Sequence, residues 1–171
     1  MFAFNAKELN SILIKLHETC LTRKITLATA ESCTGGLISA ILTSKSGSSA
    51  YFLGGVCSYS NETKTKLLNV PADLIVEAGA VSEDVAKLMA EGARAFSGAD
   101  FAVSVTGIAG PGGATPGKPV GTVYCAWAMD KTTEVERLQL HGDRDSIRAQ
   151  TCLIALAGLY SRIVTNSKEV S

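Results

Sequence analysis

The first segment whose residue types could do chemistry is ESCTGG, residues 31–36, which follows the apolar stretch Ile25–Ala30. A serine hydroxyl stands beside two glycines where a strand is expected to end and a helix to begin. Amide groups at a helix N-terminus have no partner inside the helix, so they can bind an anion or an oxyanion. This pattern fits a nucleophile, Ser32, with an oxyanion hole alongside. It fits equally well a simple N-cap formed by Ser32 or Thr34.

A second segment, YSNETK, residues 59–64, places a phenol at the end of an expected strand and an amine about one turn into the next helix. A serine without a histidine can be activated by a lysine whose ammonium form is destabilised by burial or by nearby positive charge. Tyr59, lying between Ser32 and Lys64, would relay a proton or orient the base. The alternative is a capped helix start in which Lys64 is solvated.

Histidine and metal chemistry have little support in this sequence. His17 is expected on the surface of the first helix, and Asp143 in the run HGDRD is interpreted as a helix cap rather than as part of a metal cluster. A Ser-His-Asp triad would depend on His141, and the G-x-S-x-G elbow is missing. We therefore predict a site without a metal.

The stretch Thr106–Gly121 is dense in glycine and proline and is predicted to be a ligand-binding loop. Successive glycine amides form concave anion sites, and loops of this length are usually functional. Residues 112–118 match the start of a Walker A spacing, but Pro119 replaces the Ser or Thr that would bind Mg²⁺, and a strand follows instead of a helix. This excludes a nucleoside triphosphatase. A short-chain dehydrogenase is excluded too, because the Tyr59–Lys64 spacing differs and no G-x-G-x-x-G opens the first strand–helix unit.

The elements that must position these segments alternate between strand and helix, which predicts an α/β sandwich in three layers with a mixed, mostly parallel sheet. The last two strands are expected to be antiparallel. The predicted strands are Ile25–Ala30, Tyr51–Tyr59, Phe101–Val105, Thr122–Met129 and Glu134–Leu140. The predicted helices contain Leu9–Cys20, Leu37–Leu42, Asn61–Leu68, a short one opened by Pro71, one from Ser82 to Gly98, and Asp143–Val164.

Length and composition fit one globular domain of 171 residues, with 46% hydrophobic and 19% charged residues. Sixteen Lys and Arg balance sixteen Asp and Glu, so no net field attracts nucleic acid or anionic lipid. The longest apolar run, Thr151–Tyr160, is too short to span a bilayer, and the N-terminus does not resemble a secretory signal. Five scattered cysteines without a CxxC pair argue against disulfides and zinc. We therefore predict a reduced, cytoplasmic protein.

Several stretches together closely resemble the C-terminal domain family of the competence/damage-inducible protein CinA. They are TAESCTGGLISA, GSSAYFLGGVCSYSNETKTKLLNV, GAVSEDVAKLMAEGA and SVTGIAGPGGATPGKPVGTVYCA. The resemblance runs from about Leu9 to Ile163, so residues 1–171 are interpreted as a single CinA C-terminal-like amidohydrolase domain with its core at about 9–163. Members that stand alone are similar to nicotinamide-nucleotide amidases. The resemblance thus implies conversion of nicotinamide mononucleotide to nicotinic acid mononucleotide and ammonia.

The same resemblance implies a catalytic Ser-Tyr-Lys set formed by Ser32, Tyr59 and Lys64. Ser32 would attack the amide carbonyl, and Lys64, helped by Tyr59, would move the proton without any cofactor. The amides of residues 33–35 would hold the oxyanion, and the loop from Thr106 to Gly113 with Arg144 or Arg148 would hold the phosphate. The expected substrate-binding residues are Cys33, Thr34, Gly35, Gly36, Asn61, Thr106, Gly107, Gly110, Gly112, Arg144 and Arg148.

The expected partner is a small nucleotide, nicotinamide mononucleotide, in pyridine-nucleotide recycling, with no nucleic acid and no membrane. We also expect a homo-oligomer. Two alternatives remain at this point. One is a non-catalytic nucleotide-binding or interaction domain of a competence or DNA-damage response, against which the intact Ser32, Tyr59 and Lys64 count. The other is a serine hydrolase with the same chemistry that acts on a different amide.

Overall fold

The computed structural model describes residues 6–166, which form six α-helices, one short 3₁₀ turn and five strands. The helices are α1 (Ala6–Arg23), α2 (Leu37–Thr43), α3 (Asn61–Leu68), α4 (Ala72–Ala78), α5 (Glu83–Ser97) and α6 (Arg144–Thr165). The strands are β1 (Leu27–Glu31), β2 (Phe52–Cys57), β3 (Phe101–Gly107), β4 (Thr122–Ala128) and β5 (Thr133–Gln139).

The strands form one mixed sheet in the order β2-β1-β3-β4-β5. β1 pairs in parallel with both β2 and β3, whereas β4 is antiparallel to β3 and to β5. Four of the five strands therefore point the same way. The predictions of a mixed, mostly parallel sheet and of an antiparallel pair at its end are both confirmed.

Side chains that alternate along the central strands divide the core into two halves. On β3, Val103 and Val105 pack with α1, α2 and α6, whereas Ala102 packs with α5 on the opposite face. β4 divides in the same way, because Trp127 belongs to the first half and Tyr124 to the second. The predicted three-layer sandwich is therefore confirmed.

Most predicted element boundaries lie within two residues of those in the structure. Ser82 caps α5 by accepting a hydrogen bond from the Val85 amide, and Gly98 ends that helix with a left-handed φ of 71°. One difference affects predicted binding residues, since Thr106 and Gly107 belong to β3 and the loop is confined to residues 108–121. The reason is the antiparallel partner, because β4 extends the ladder by two further pairs at this end of β3.

The longest described helix, α6, has an apolar face that is interrupted by polar side chains. Asp143 caps it as predicted, accepting a hydrogen bond from the Ser146 amide, and Arg144 and Arg148 follow in its first two turns. Within residues 6–166 we find no helix that combines the length and the apolar character needed to cross a membrane.

Close contact between α6 and β4 fixes one half of the core. The indole of Trp127 is fully buried and donates a hydrogen bond to the carbonyl of Ala155 at 2.9 Å. The Arg162 guanidinium lies 3.7 Å from the centroid of that ring. A Cβ placed on Gly158 would lie 2.6 Å from Cε2 of the indole. Only glycine lets the helix approach the ring this closely.

We predict that Gly158→Ala destabilises the protein, although alanine normally favours a helix over glycine by up to about 1 kcal/mol. The new methyl group would overpack the indole of Trp127, at a cost of about 1–3 kcal/mol in the free energy of unfolding. Urea denaturation measures the change. Ser161→Ala, at an exposed position of the same helix, is the matched control and should stay within about 0.5 kcal/mol. A Gly158→Ala variant as stable as the wild type would contradict the packing.

Candidate active site

The candidate nucleophile and base meet at the carboxyl ends of the parallel strands. The amide of Ser32, just beyond β1, donates to the carbonyl of Val105 on β3 at 3.0 Å, and the amide of Ser58, just beyond β2, donates to the carbonyl of Glu31 at 2.8 Å. β1 lies between β2 and β3 in the sheet. The chain runs from β1 to β2 on one side and then crosses to β3 on the other side. Crevices at such switch points are where open α/β sheets bind their ligands.

Consecutive side chains at the end of β1 point to opposite faces of the sheet, as they do along any strand. Thr29 and Glu31 face α2, where both contact Ser39. Ser32 contacts Lys64 of α3 instead. A single strand end therefore supplies groups to both helical layers.

Helix α3 delivers Lys64 to Ser32. Ser60 caps the helix by accepting from the Thr63 amide at 3.1 Å, which places Lys64 one turn inside it. The Lys64 Nζ donates to the Ser32 Oγ at 3.1 Å and to the Ser58 carbonyl at 2.7 Å. The interpretation as a capped helix start is confirmed, but the idea that Lys64 is solvated is wrong, because the residue is only 1% exposed.

Burial sets the electrostatics of this pair. Removing the Lys64 ammonium from water disfavours its charged form, so the pKa of Lys64 is lowered from its ordinary value of 10.5. Burial has the opposite effect on the adjacent thiol and raises the pKa of Cys33 to about 12. Cys33 therefore stays protonated and unreactive. Of the two neighbouring side chains, Ser32 is the one equipped to act as a nucleophile.

The sequence analysis missed Glu31, which the structure places in the anion site at the start of α2. Its buried carboxylate accepts hydrogen bonds from the amides of Gly36 and Ile38, each at 3.0 Å. The prediction that these amides are free to bind an anion is therefore wrong. A charged residue at the end of a buried strand was the available signal, since such a group must find partners inside the fold.

The segment after Ser32 is held by its own hydrogen bonds as well. The Gly35 amide donates to the Ser32 carbonyl at 3.1 Å, so this expected oxyanion donor is already bonded. The Thr34 hydroxyl donates to Glu31 at 2.7 Å. Arg148, on α6, donates to the Thr34 carbonyl at 2.6 Å. The loop is therefore tied to β1 on one side and to α6 on the other.

Tyr59 lies at the outer edge of the site, with 61% of its surface exposed. Its hydroxyl accepts a hydrogen bond from Arg144 at 3.0 Å, and the same guanidinium donates to the Gly110 carbonyl at 2.9 Å. The structure therefore does not place the phenol between Ser32 and Lys64. Instead, Arg144 joins Tyr59 to the glycine-rich loop.

The other predicted binding residues have varied surroundings. The Thr106 hydroxyl is buried and donates to the Ala80 carbonyl at 2.8 Å, so it faces the layer of α5. Gly107 is packed against Val123 at the end of β3. Asn61 and Gly112 are exposed, the first at the start of α3 and the second in the loop.

Potential metal ligands occur in the run HGDRD, residues 141–145, at the start of α6. The His141 carbonyl accepts a hydrogen bond from Gln150, and the neighbouring Asp143 is occupied as the cap of α6. Across residues 6–166, no three side chains of His, Cys, Asp or Glu are grouped so that they could hold a metal ion.

Comparison with known proteins decides the family. Residues 9–163 match the CinA C-terminal domain family. The chain belongs to that family. Its CinA-family relatives include a CinA-like protein of Citrifermentans bemidjiense, 53% identical over 166 residues, and one of Mycolicibacterium gilvum, 56% identical over 132 residues. The matches cover 96% and 77% of this chain but only 39% and 31% of those relatives, so the chain spans about two fifths of the longer-matched relative.

Solved CinA-family structures agree with the fold. The competence/damage-inducible protein from Agrobacterium tumefaciens superposes with a TM-score of 0.89 at 37% identity, covering 94% of this chain and 98% of that one. The competence damage-inducible protein A from Klebsiella pneumoniae gives a TM-score of 0.88 at 35% identity, covering 91% and 97%. The CinA family and its α/β fold are thus established for this chain.

We predict that the burial of Lys64 makes stability depend on pH. Because its pKa is lower in the folded than in the unfolded protein, the unfolded state holds more of this proton between the two values. The free energy of unfolding should therefore rise with pH from the lowered pKa up to about 10.5. Lys64→Met removes the proton and should flatten that rise. Urea unfolding of both proteins over a pH series tests this, and a wild-type-to-variant difference that is constant with pH would contradict it.

Proposed function

We propose that this chain is an amidohydrolase that converts nicotinamide mononucleotide to nicotinic acid mononucleotide and ammonia through an acyl-enzyme on Ser32. The observation that carries the proposal is the contact of 3.1 Å between Ser32 Oγ and the buried Nζ of Lys64. The substrate is suggested by the resemblance of the chain to stand-alone CinA-family amidases. Such a chain would act in pyridine-nucleotide recycling.

Lys64 acts as the general base in its neutral form. The uncharged amine keeps two N–H bonds, one of which continues to donate to the Ser58 carbonyl. Its lone pair then faces Ser32, so the serine hydroxyl donates across the same contact of 3.1 Å. Burial keeps the neutral form accessible because it lowers the pKa of Lys64.

The reaction proceeds in two balanced halves. Ser32 Oγ attacks the carboxamide carbon while Lys64 takes the hydroxyl proton, and the tetrahedral intermediate then expels ammonia, which leaves with that proton. Water next attacks the resulting ester, Lys64 takes a proton from the water, and it returns that proton to Ser32 as the acid is released. The amides of Cys33 and Thr34, on the segment directly after the nucleophile, are the proposed oxyanion donors.

Cationic side chains around the crevice suit an anionic substrate. Arg144 and Arg148 both lie in the first two turns of α6 and donate to carbonyls of the two segments that border the site, at Gly110 and Thr34. We assign the substrate phosphate to this side, where exposed Arg144 and Tyr59 form the rim. Tyr59 then orients the bound nucleotide rather than relaying the proton.

Incubation of the purified protein with nicotinamide mononucleotide tests the proposed function. Ammonia and nicotinic acid mononucleotide should appear in equal amounts, measured by an enzyme-coupled assay and by chromatography. Nicotinamide without its ribose phosphate should be a poor substrate. A domain that only binds nucleotides would bind the mononucleotide and release no ammonia.

We predict that Ser32→Ala abolishes ammonia release while the thermal unfolding midpoint stays near that of the wild type, because the hydroxyl is the nucleophile and its only described partner is Lys64. Ser32→Cys should retain at most a trace, since sulfur is nucleophilic but larger. Ser161→Ala, remote on α6, is the control and should keep full turnover. Near wild-type turnover by Ser32→Ala would refute the acyl-enzyme.

We predict that Lys64→Arg lowers turnover by roughly 10²–10⁴-fold, the usual scale for a positioned acid–base group. Arginine holds its proton at any usable pH, but it keeps a positive charge that can bind phosphate. Substrate affinity, measured by calorimetry, should therefore fall much less than turnover. The reverse pattern, weaker affinity with turnover kept, would show that Lys64 binds the phosphate and is not the base.

A further inference from the structure

We propose that Glu31 is the positioning residue of this site: its carboxylate fixes the backbone of residues 32–36 and thereby keeps Ser32 Oγ within reach of Lys64 Nζ. The proposal rests on the serine chemistry of the proposed function but not on the identity of the amide substrate. It concerns a residue that never touches the reacting atoms.

The carboxylate of Glu31 is saturated with hydrogen bonds, although the residue is only 1% exposed. Three of the donors are backbone amides and two are hydroxyls, and all of them belong to the loop after Ser32 or to the first turn of α2. Oε2 accepts from the Thr34 hydroxyl at 2.7 Å and from the amides of Gly36 and Ile38 at 3.0 Å each, and Oε1 accepts from the Ser39 amide at 2.8 Å and its hydroxyl at 2.7 Å.

This arrangement replaces an ordinary helix cap. The N-cap position of α2 is Gly36, which has no side chain to accept from the first amides, so Glu31 caps the helix from five residues upstream. Gly35 and Gly36 have left-handed φ angles of 62° and 95°, which curl the loop around the carboxylate. A negative charge at a helix N-terminus is also favoured by the helix dipole.

One further hydroxyl, that of Thr29, supports the network around the carboxylate through Ser39. The Ser39 hydroxyl donates its hydrogen bond to Glu31. The Thr29 hydroxyl is therefore the donor in its contact of 2.8 Å with Ser39. Gly55 on β2 leaves room for this pair, because a Cβ there would collide with the Thr29 hydroxyl and lie 2.7 Å from that of Ser39. Thr29 therefore fixes the orientation of the Ser39 hydroxyl that donates to Glu31.

Because Ser32 directly follows Glu31, the hydrogen bonds that fix Glu31 also fix the backbone of Ser32. Glu31 and Ser32 are consecutive, and their side chains point to opposite helical layers. Any rotation of the backbone that moves the carboxylate away from α2 therefore turns Ser32 away from Lys64. A shift of about 1 Å in a reacting group can reduce reactivity on the order of 10²-fold.

The occupied helix terminus has a consequence for the substrate. The amides at the start of α2 already bind the Glu31 carboxylate, and that negative charge repels a second anion. The phosphate of a nucleotide substrate must therefore bind elsewhere, which agrees with its assignment to the side of Arg144.

Reactivity of Ser32 towards phenylmethylsulfonyl fluoride tests the proposal without any nucleotide. Ser32 Oγ attacks sulfur, fluoride leaves and Lys64 takes the hydroxyl proton, so the rate reports how well Ser32 and Lys64 are aligned. The labelled peptide is followed by mass spectrometry, with Ser32→Ala as the blank. We expect Glu31→Gln to be labelled about 10- to 100-fold more slowly than the wild type, because the Gln amide turns one acceptor into a donor that faces N–H groups.

A matched control separates positioning from a loss of stability. Gly158→Ala is also expected to be less stable, but its defect lies against Trp127. Under native conditions it should be labelled at the wild-type rate. Equal labelling of folded Glu31→Gln and wild type overturns the proposal, and so does a wild-type Ser32 that does not react at all.

A milder variant covers the case in which Glu31→Gln does not fold. Thr34→Val keeps the shape of the side chain and removes one of the five hydrogen bonds. Its labelling rate should fall by roughly 3- to 10-fold. An unchanged rate in folded Thr34→Val, with Glu31→Gln unfolded, would mean that the carboxylate serves stability alone and would overturn the proposal.

Assays with nicotinamide mononucleotide distinguish this proposal from the proposed function. If wild-type protein releases no ammonia but labelling falls as expected in Glu31→Gln, the substrate assignment fails and the positioning role stands. If ammonia release is normal but labelling is insensitive to Glu31→Gln, the positioning role fails alone. When both hold, Glu31→Gln should lower kcat with little change in KM.

Discussion

A lysine amine buried beside a serine hydroxyl is the constraint on which the rest of this structure depends. Transfer of an ammonium group from water into a protein interior is unfavourable, so such a group either finds strong partners or gives up its proton. Lys64 has only a hydroxyl and a carbonyl within hydrogen-bond distance of its Nζ among the described residues. Neither carries a charge. The site is therefore tuned towards a neutral amine, which is the state that a base requires.

The neutral form of Lys64 is favoured because the nearby carboxylate of Glu31 is kept away from it. Glu31, the carboxylate residue next to Ser32 in sequence, faces the opposite helical layer and is stabilised by hydrogen bonds from amides and hydroxyls. Were it to face Lys64, it would stabilise the ammonium form and raise the pKa of the amine. Because consecutive side chains point in opposite directions, the Glu31 carboxylate stays away from Lys64 and does not stabilise the ammonium form of the amine. The parallel sheet provides that change of direction without special backbone geometry.

Sequence reasoning predicted what depends on local pattern. The strand and helix order, the caps at Ser82 and Asp143 and the mixed sheet all follow from periodicity and end residues, and the structure confirms them. What it left open or missed depends on three-dimensional contacts. Whether Lys64 is buried depends on strand ends that are distant in sequence, and the role of Glu31 depends on how a short helix is placed above β1. The position of Tyr59 could not be predicted from local sequence either, because its partner Arg144 is 85 residues away.

The position of β2 at the edge of the sheet determines how heating affects the contact between Lys64 and Ser32. β2 is an edge strand with β1 as its one partner in the sheet, and the segment after it supplies the Ser58 carbonyl and leads directly into the helix of Lys64. Edge elements open locally at a lower free energy than the centre of a sheet. Fraying of this one pairing would withdraw Lys64 from Ser32 while the core around Trp127 stays folded. Heat should therefore separate Lys64 from Ser32 reversibly at temperatures below global melting, with spectroscopic probes of the core reporting an intact protein.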